Sequence, residues 1–385
     1  MKQLLATLLL LLMITPCLTL AQKKELSQAR SSIKNGKYAE AEKTLTTLLK
    51  DSTNRQNKRI WLAYYDAVLG QYEQGNEKLY LKQQYDTATF FAKVRQMIGI
   101  AETLDSLAPE YRKKHSAEQH SYRPNLFNGG SFLLRKEKWA DAYDYYQAYI
   151  DCARQPLFEA YHYDSLDSRM PEAAYWATYC GYKQHDPILT LRHRHLALKD
   201  TAKADFTLQF VAEARKWLHD DELYVETLEE GFHRFPMFPY FFPRLMDAYT
   251  SLGQYDKALA LADSALLVND SSELFLFAKS TTLLRMERYA ESIKYSEQLI
   301  KKNPNMAEPY FNAGTAYVNI ASRLDERRYK KQMRQAYQKA LPFMENYRRL
   351  MPNEKNKWAP VLYRIYLYLN MGKQFDDIDR LLKQK

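Results

Sequence analysis

Glycine is scarce in this chain. Of 385 residues 11 are Gly and 14 are Pro, against usual shares of about 7% and 5%. A chain with so few residues suited to φ > 0 has few tight turns to offer, which argues against sandwiches, barrels and nucleotide-binding sheets with glycine-rich loops. Long helices with short connections remain. Cysteine is scarcer still, with 3 in all. Only Cys152 and Cys180 lie beyond residue 21, so there is no disulfide framework and no CxxC. That pair can be read as one disulfide or as two small buried hydrophobes, and the second reading is the expectation. Beyond residue 21 no apolar run approaches the roughly 20 residues of a membrane span, so the chain is read as not transmembrane.

What is present fits a globular helical chain. Hydrophobic residues make up 46%, charged residues 26%, and there are 31 Tyr. Tyrosine at that density suits helix–helix seams, where the ring packs and the hydroxyl finds a partner or water. The first residues read as an address. Lys2 precedes the apolar run Leu4 to Ile14, and Thr19-Leu20-Ala21 supplies small residues where a signal peptidase reads. Cleavage is expected after Ala21, giving a signal peptide over 1–21 and an exported, soluble chain. Cys17 raises a lipoprotein reading, which Pro16 opposes by standing where lipidation signals carry Gly, Ala or Ser.

Self-similarity is the informative feature. Leu252-Gly253-Gln254-Tyr255-Asp256-Lys257-Ala258 aligns with Met286-Glu287-Arg288-Tyr289-Ala290-Glu291-Ser292 at an offset of 34 residues. The same frame sets Tyr249 over Leu283, Ala262 over Ser296, Ala265 over Leu299 and Asp270 over Pro304. One period on, Tyr310, Gly314 and Tyr317 take large, small and large positions. The small residues are expected where paired helices approach closely, and the large ones where each pair meets the next. Ala258, Ala265, Gly130 and Gly314 are such close-approach points.

This pattern resembles the tetratricopeptide repeat, or TPR, with its W-x2-L-G-x2-Y, A-x3-F and P positions. The resemblance implies an all-α fold, an α-solenoid wound as a right-handed superhelix of about nine helix hairpins. It extends with falling fidelity over nearly the whole chain. Divergent hairpins occupy 22–123, central repeats 124–236, the best-matching repeats 237–306, and an extended basic end with its cap 307–385. The segment Leu104 to Arg123 breaks the period and is expected to extend a helix before a loop. The stretch Arg323 to Arg334 is expected to lengthen the helices around a charged hairpin tip. An export signal joined to Tyr-rich repeats also resembles exported TPR proteins of Gram-negative bacteria, which implies a periplasmic or outer-envelope location.

Catalytic motifs are missing from the sequence: no GxGxxG, HExxH or GxSxG occurs, and no cofactor or metal site is expected. His193 and His195 stand two apart, a spacing that points two side chains away from each other on a helix, and are read as part of a solvated basic face. Charge is more telling. Arg285 to Lys385 carries 21 Lys and Arg against 11 Asp and Glu, while the preceding residues balance at 35 of each sign. Arg323, Arg327, Arg328, Lys330, Lys331 and Arg334 form a candidate basic patch, able to meet an acidic protein or an anionic envelope surface. Nucleic acid is not expected.

The TPR resemblance implies a concave groove lined by the first helix of each pair, holding an extended peptide or a helix. Carried over position by position, it nominates Tyr175, Tyr179, Tyr182, Trp217, Tyr240, Phe277, Phe311 and Asn319. The function implied is a non-catalytic protein-interaction scaffold of the bacterial envelope. The alternative is a glycan- or small-ligand-binding module using the groove Tyr and Trp. Finally, Asp-Ser/Thr tripeptides at Asp51, Asp86, Asp105, Asp164, Asp200 and Asp263 resemble a bacterial O-glycosylation signal, and helix capping explains them equally well.

Overall fold

The computed structural model describes residues 20–383, and among them no strand occurs. The proposed signal sequence up to residue 19, Cys17 with it, and residues 384–385 lie outside the described residues. The chain falls into two compact units, Met1–Tyr224 and Val225–Lys385.

The first unit opens with α1 (residues 20–34), α2 (Tyr38–Leu48), α3 (Lys58–Tyr80) and α4 (Thr87–Leu107). Then follow α5 (Arg112–Tyr122), α6 (Pro124–Leu134), α7 (Trp139–Asp151) and the short α8 (Tyr163–Leu166). It continues through α9 (Met170–Lys183), α10 (Pro187–Arg192), α11 (Arg194–Ala197) and α12 (Ala204–Trp217). The pairs α2/α3, α6/α7 and α9/α10 pack as hairpins, and α4 on α6, then α7 on α9, link one hairpin to the next. Pro187 sits at the first position of α10, where its missing N–H costs little.

The boundary between the units falls within α13 (Asp221–Arg234). The second unit then runs through α14 (Phe241–Ser251), α15 (Tyr255–Val268), α16 (Glu273–Arg285), α17 (Tyr289–Lys302) and α18 (Glu308–Ser322). It ends with α19 (Glu326–Leu350), α20 (Lys355–Leu369) and α21 (Gly372–Lys383). Each helix packs on its successor, and the first helices of successive pairs, α16, α18 and α20, also touch one another. The hairpins of this unit therefore stack as an α-solenoid. The expected close-approach points are found here: Ala258, Ala262 and Ala265 are wholly buried. A Cβ at Gly314 would stand 2.5 Å from Met344 Sδ, as one at Gly130 would stand 2.9 Å from the Tyr146 ring.

One hairpin later the seam changes chemistry. Ser292 and Ser296, in the places of Ala258 and Ala262, are fully buried and joined to Ser280. Ser280 Oγ lies 2.7 Å from Ser296 Oγ, Ser292 Oγ donates to the Ser280 carbonyl at 2.9 Å, and Asn312 Nδ2 donates to Thr281 Oγ1 at 3.0 Å. Small side chains allow the helices to close, and the hydroxyls satisfy each other once inside.

Three expectations are corrected. The scarcity of glycine does not mean a scarcity of left-handed turns. Lys82, Glu137, His162, His185, His219, Glu287 and Asn370 all have positive φ, alongside Gly36 and Gly253. Non-glycine residues accept about 1–2 kcal/mol of strain at such positions because the stacked hairpins hold them there. The segment Leu104 to Arg123 is not a helix extension followed by a loop. It contains α5, anchored by Arg123, whose guanidinium lies 3.7 Å from the Tyr149 ring centre and 3.6 Å from that of Tyr163 and pairs with Asp167 at 2.6 Å. Finally, His193 is not on a solvated face. It breaks the helix between α10 and α11, is 6% exposed, and lies 2.6 Å from Gln147 Oε1 through Nε2. Burial is the chief cause that brings its pKa down to about 4. Its neighbour His195 is exposed, as expected.

Cys152 and Cys180 are free thiols buried in the first unit, each pushed up to about 12 by burial. They behave as small hydrophobes rather than as a bridge.

Candidate groove and basic surface

The nominated groove residues fall into two sets with different surroundings. In the first unit Tyr175, Tyr179 and Tyr182 recur along one face of α9, and Trp217 ends α12. They meet around Phe210, which is 4% exposed. Tyr182 stacks on Phe210 at 4.6 Å and on Trp217 at 5.6 Å. Tyr179 lies 5.6 Å from Phe210 and edge-on to Trp139 and Trp176. Tyr175 is itself buried against Trp176. The four side chains thus form one row in which rings pack on rings, worth about 0.5–1.5 kcal/mol per pair beyond the area they bury.

In the second unit the set is dispersed. Tyr240 is buried, with the Arg244 guanidinium 3.8 Å from its ring centre. Phe311 is half-buried and leans on Tyr347 of α19 at 5.0 Å. Asn319 is half-buried farther along α18. Phe277 differs from all of these, because it lines an open cavity of about 690 Å³ between α14 and α16.

The cavity's lining follows from helical spacing. On α16, Leu274, Phe277, Thr281 and Arg285 recur every three or four residues and so share a face. On α14, Phe242, Met246 and Thr250 do the same from the opposite wall, with Asp247 beside them. Phe242 and Met246 are buried and form an apolar floor, and Leu274 is 47% exposed at the rim. Thr250, Ser251, Thr281 and the Tyr255 phenol offer hydroxyls. Asp247 and Arg285 are exposed and enter no ion pair among the described residues. An apolar floor with a few convergent polar groups and one charge of each sign is suited to a short amphipathic chain segment. Of this lining, Phe277 alone was nominated from sequence. The 34-residue frame carries Phe277, Thr281 and Arg285 back to Pro243, Asp247 and Ser251, all in the lining, so the period held the signal for them.

The basic surface lies at the start of α19. Asp325 caps this helix by accepting from the Arg328 N–H at 2.8 Å, and a kink at Tyr329 separates its first turn from the rest. Arg327, Arg328, Lys330, Lys331 and Arg334 are exposed and enter no ion pair among the described residues, and the Arg328 guanidinium lies 5.3 Å from the Tyr329 ring centre. Arg323 is different, being paired with Glu287 and lying 5.0 Å from the Tyr289 ring centre. The Glu287 contact raises its pKa.

No family model matches the chain, and no curated protein matches it. It is similar to solved structures of tetratricopeptide proteins. The C-terminal part of a TPR repeat-containing protein from Cytophaga hutchinsonii is 11% identical with a TM-score of 0.39, over 66% of this chain and 98% of that one. MamA of strain AMB-1 is 14% identical with a TM-score of 0.36, over 49% and 94%. YrrB, described as a TPR protein with an unusual peptide-binding site, is 14% identical with a TM-score of 0.31, over 63% and 93%. At these values the reading of the chain rests on its own 34-residue period and its stacked hairpins.

No helix among the described residues is long and apolar enough to cross a membrane.

Proposed function

We propose that this chain is a non-catalytic, TPR-like protein-interaction scaffold of the bacterial envelope, exported under the signal over 1–21, which holds a peptide or helix of its partner between α14 and α16. The observation that carries the reading is the 690 Å³ cavity with Phe277 on its wall and, at its edge, Asp247 and Arg285 without an ion pair among the described residues. Stacked hairpins repeat their first helices side by side, so the interhelix channel is a recurrent feature of the architecture, and here it stays open. The basic end of the second unit supplies a second surface, facing an anionic partner. A glycan-binding module is the competing reading. Sugars need a ring with a free face, and in the first unit Tyr182 is stacked on both Phe210 and Trp217, which favours the scaffold.

The test is selection of peptides from a random library on the intact chain, followed by calorimetric titration against Phe277→Asp. Selected peptides should lose at least ~10-fold in affinity for the variant, with its thermal midpoint little changed. Peptides held equally by both proteins, or a selection that yields none, would refute the groove. Envelope location is tested by fractionating the native host and reading the mature N-terminus, expected at Gln22.

A further inference from the structure

The cations of α19 do not stand alone. Lys330, Arg334 and Tyr337 recur at four- and three-residue spacing and share one side of that helix. Tyr337 is 1% exposed and stacks on Tyr368 of α20, with ring centres 4.7 Å apart and planes within 7°. Tyr368 shares its side of α20 with Arg364 and Leu367. Arg364 is exposed and reaches back to the end of α18, donating to Ser322 Oγ at 3.3 Å. Leu367 is 48% exposed and Tyr368 40%. The Tyr337–Tyr368 stack therefore joins two helices into one surface, with cations from both and an exposed leucine and tyrosine among them. The carboxylates nearby are few: Asp325 is engaged in capping α19, and Glu326 is exposed beside it.

We propose that this composite surface, Lys330, Lys331 and Arg334 of α19 with Arg364, Leu367 and Tyr368 of α20, docks the second unit on the headgroup plane of a bilayer containing anionic phospholipid. The proposal rests on reading the basic end as facing an anionic partner, and it names that partner. Three features favour a lipid plane over an acidic peptide. The cations are spread over two helices, and the carboxylates beside them, Asp325 and Glu326, stand only at the start of α19. None of these residues lines the cavity between α14 and α16. Leucine and tyrosine exposed among cations are the side chains that enter a membrane interface, where tyrosine keeps its hydroxyl at headgroup level and the long basic stems reach the phosphates. Six such side chains give reversible attachment, in keeping with a helix surface that lies on the membrane rather than crossing it.

The experiment is co-sedimentation of the intact mature chain with vesicles of phosphatidylcholine alone and of phosphatidylcholine mixed with phosphatidylglycerol. Binding is expected only with phosphatidylglycerol and should weaken as salt is raised. Each basic residue near such a surface is worth roughly fivefold in partitioning, so the triple variant K330Q/K331Q/R334Q should bind about 100-fold more weakly. Its circular dichroism and thermal midpoint should match the parent's. Leu367→Ser should also weaken binding at high salt, where the apolar contribution persists. Equal binding to both vesicles, an unchanged triple variant, or capture of polyglutamate without capture of vesicles would each overturn the proposal. Phe277→Asp should leave vesicle binding intact, so failure of the groove and failure of the lipid surface are told apart.

Discussion

The aromatic row of the first unit and the cavity of the second occupy equivalent places, on first helices of successive hairpins, yet they end in opposite states. In the row, Phe210 fills the space between α9 and α12, and Tyr175, Tyr179 and Tyr182 close on it. Between α14 and α16 the equivalent space is left open over buried Phe242 and Met246. An aromatic side chain at a groove position is thus available to a ligand only if the next hairpin does not supply a ring to cover it. The row contributes cohesion, and the cavity leaves the Phe277 ring beside open space.

Replacing the ring at each centre is the strongest way to break that contrast. Phe210→Ala should cost about 3–5 kcal/mol, as for a buried aromatic, and destabilise the first unit in denaturant titration. Phe277→Ala removes a half-buried ring beside open space and should cost well under half as much, while peptide affinity falls. Equal losses of stability would mean the second cavity is packed core after all.

Acid sharpens the comparison next. His193 is buried in the first unit with a pKa brought down to about 4, chiefly by burial, with Arg192 and Arg154 adding to the effect and Asp151 opposing it. Buried His115 of the same unit is shifted in the same direction, again chiefly by burial. The unfolded imidazole binds its proton near pH 6.5, so between that value and about 4 the unfolded chain holds more protons, and stability is lost as the pH is lowered. The contribution of His193 is about 3 kcal/mol, fully present above pH 6.5 and lost by about 4. Glu42 and Asp167 act lower down. Burial opposes their ionisation, yet hydrogen bonds from Lys93 and Gln71 in one case, and Tyr149 and Arg123 in the other, bring each below its ordinary value. The one histidine of the second unit, His233, is exposed. Hydrogen exchange across this window should therefore show the first unit opening before the second, and His193→Gln should remove most of the difference. Simultaneous opening would refute the assignment.

Much of this was legible in the sequence, for a physical reason. A stacked hairpin must place small residues where its helices touch, and that need recurs every 34 residues, so Ala258 and Ser292 announced the fold without any contact being known. The turns were less legible. Backbone strain at Glu137 and Glu287 is tolerated because the packing on either side fixes the geometry, and composition carries no record of that. His193 was misplaced for a related reason: a run of Arg and His reads as solvated until the helix break that turns one member inward is seen. The repeat frame reaches Phe277 on the cavity wall and, carried back one period, Pro243, Asp247 and Ser251 opposite it. The frame marks which residues face the channel, but whether the channel is filled depends on a ring such as Phe210 arriving from the next helix.

The smallest expected effect bears on what the cavity selects. Arg285 closes the lining at the last turn of α16, exposed and in no ion pair among the described residues, whereas Lys279, on the same helix, is held by Asp263 at 2.6 Å. An unpaired surface charge contributes little to folding, so Arg285→Ala should leave stability within about 0.5 kcal/mol of the parent. Its effect should appear in binding alone. Peptides selected on the parent should lose affinity for the variant by a few-fold at low salt, and the loss should shrink as salt screens the contact. A salt-independent loss would assign Arg285 a packing role, through its stem against the apolar floor, rather than recognition of a carboxylate. No loss at all would confine recognition to Phe277 and the floor beneath it. That outcome would leave the cavity an apolar slot of low selectivity, and the choice of partner would then fall to the neighbouring hairpins.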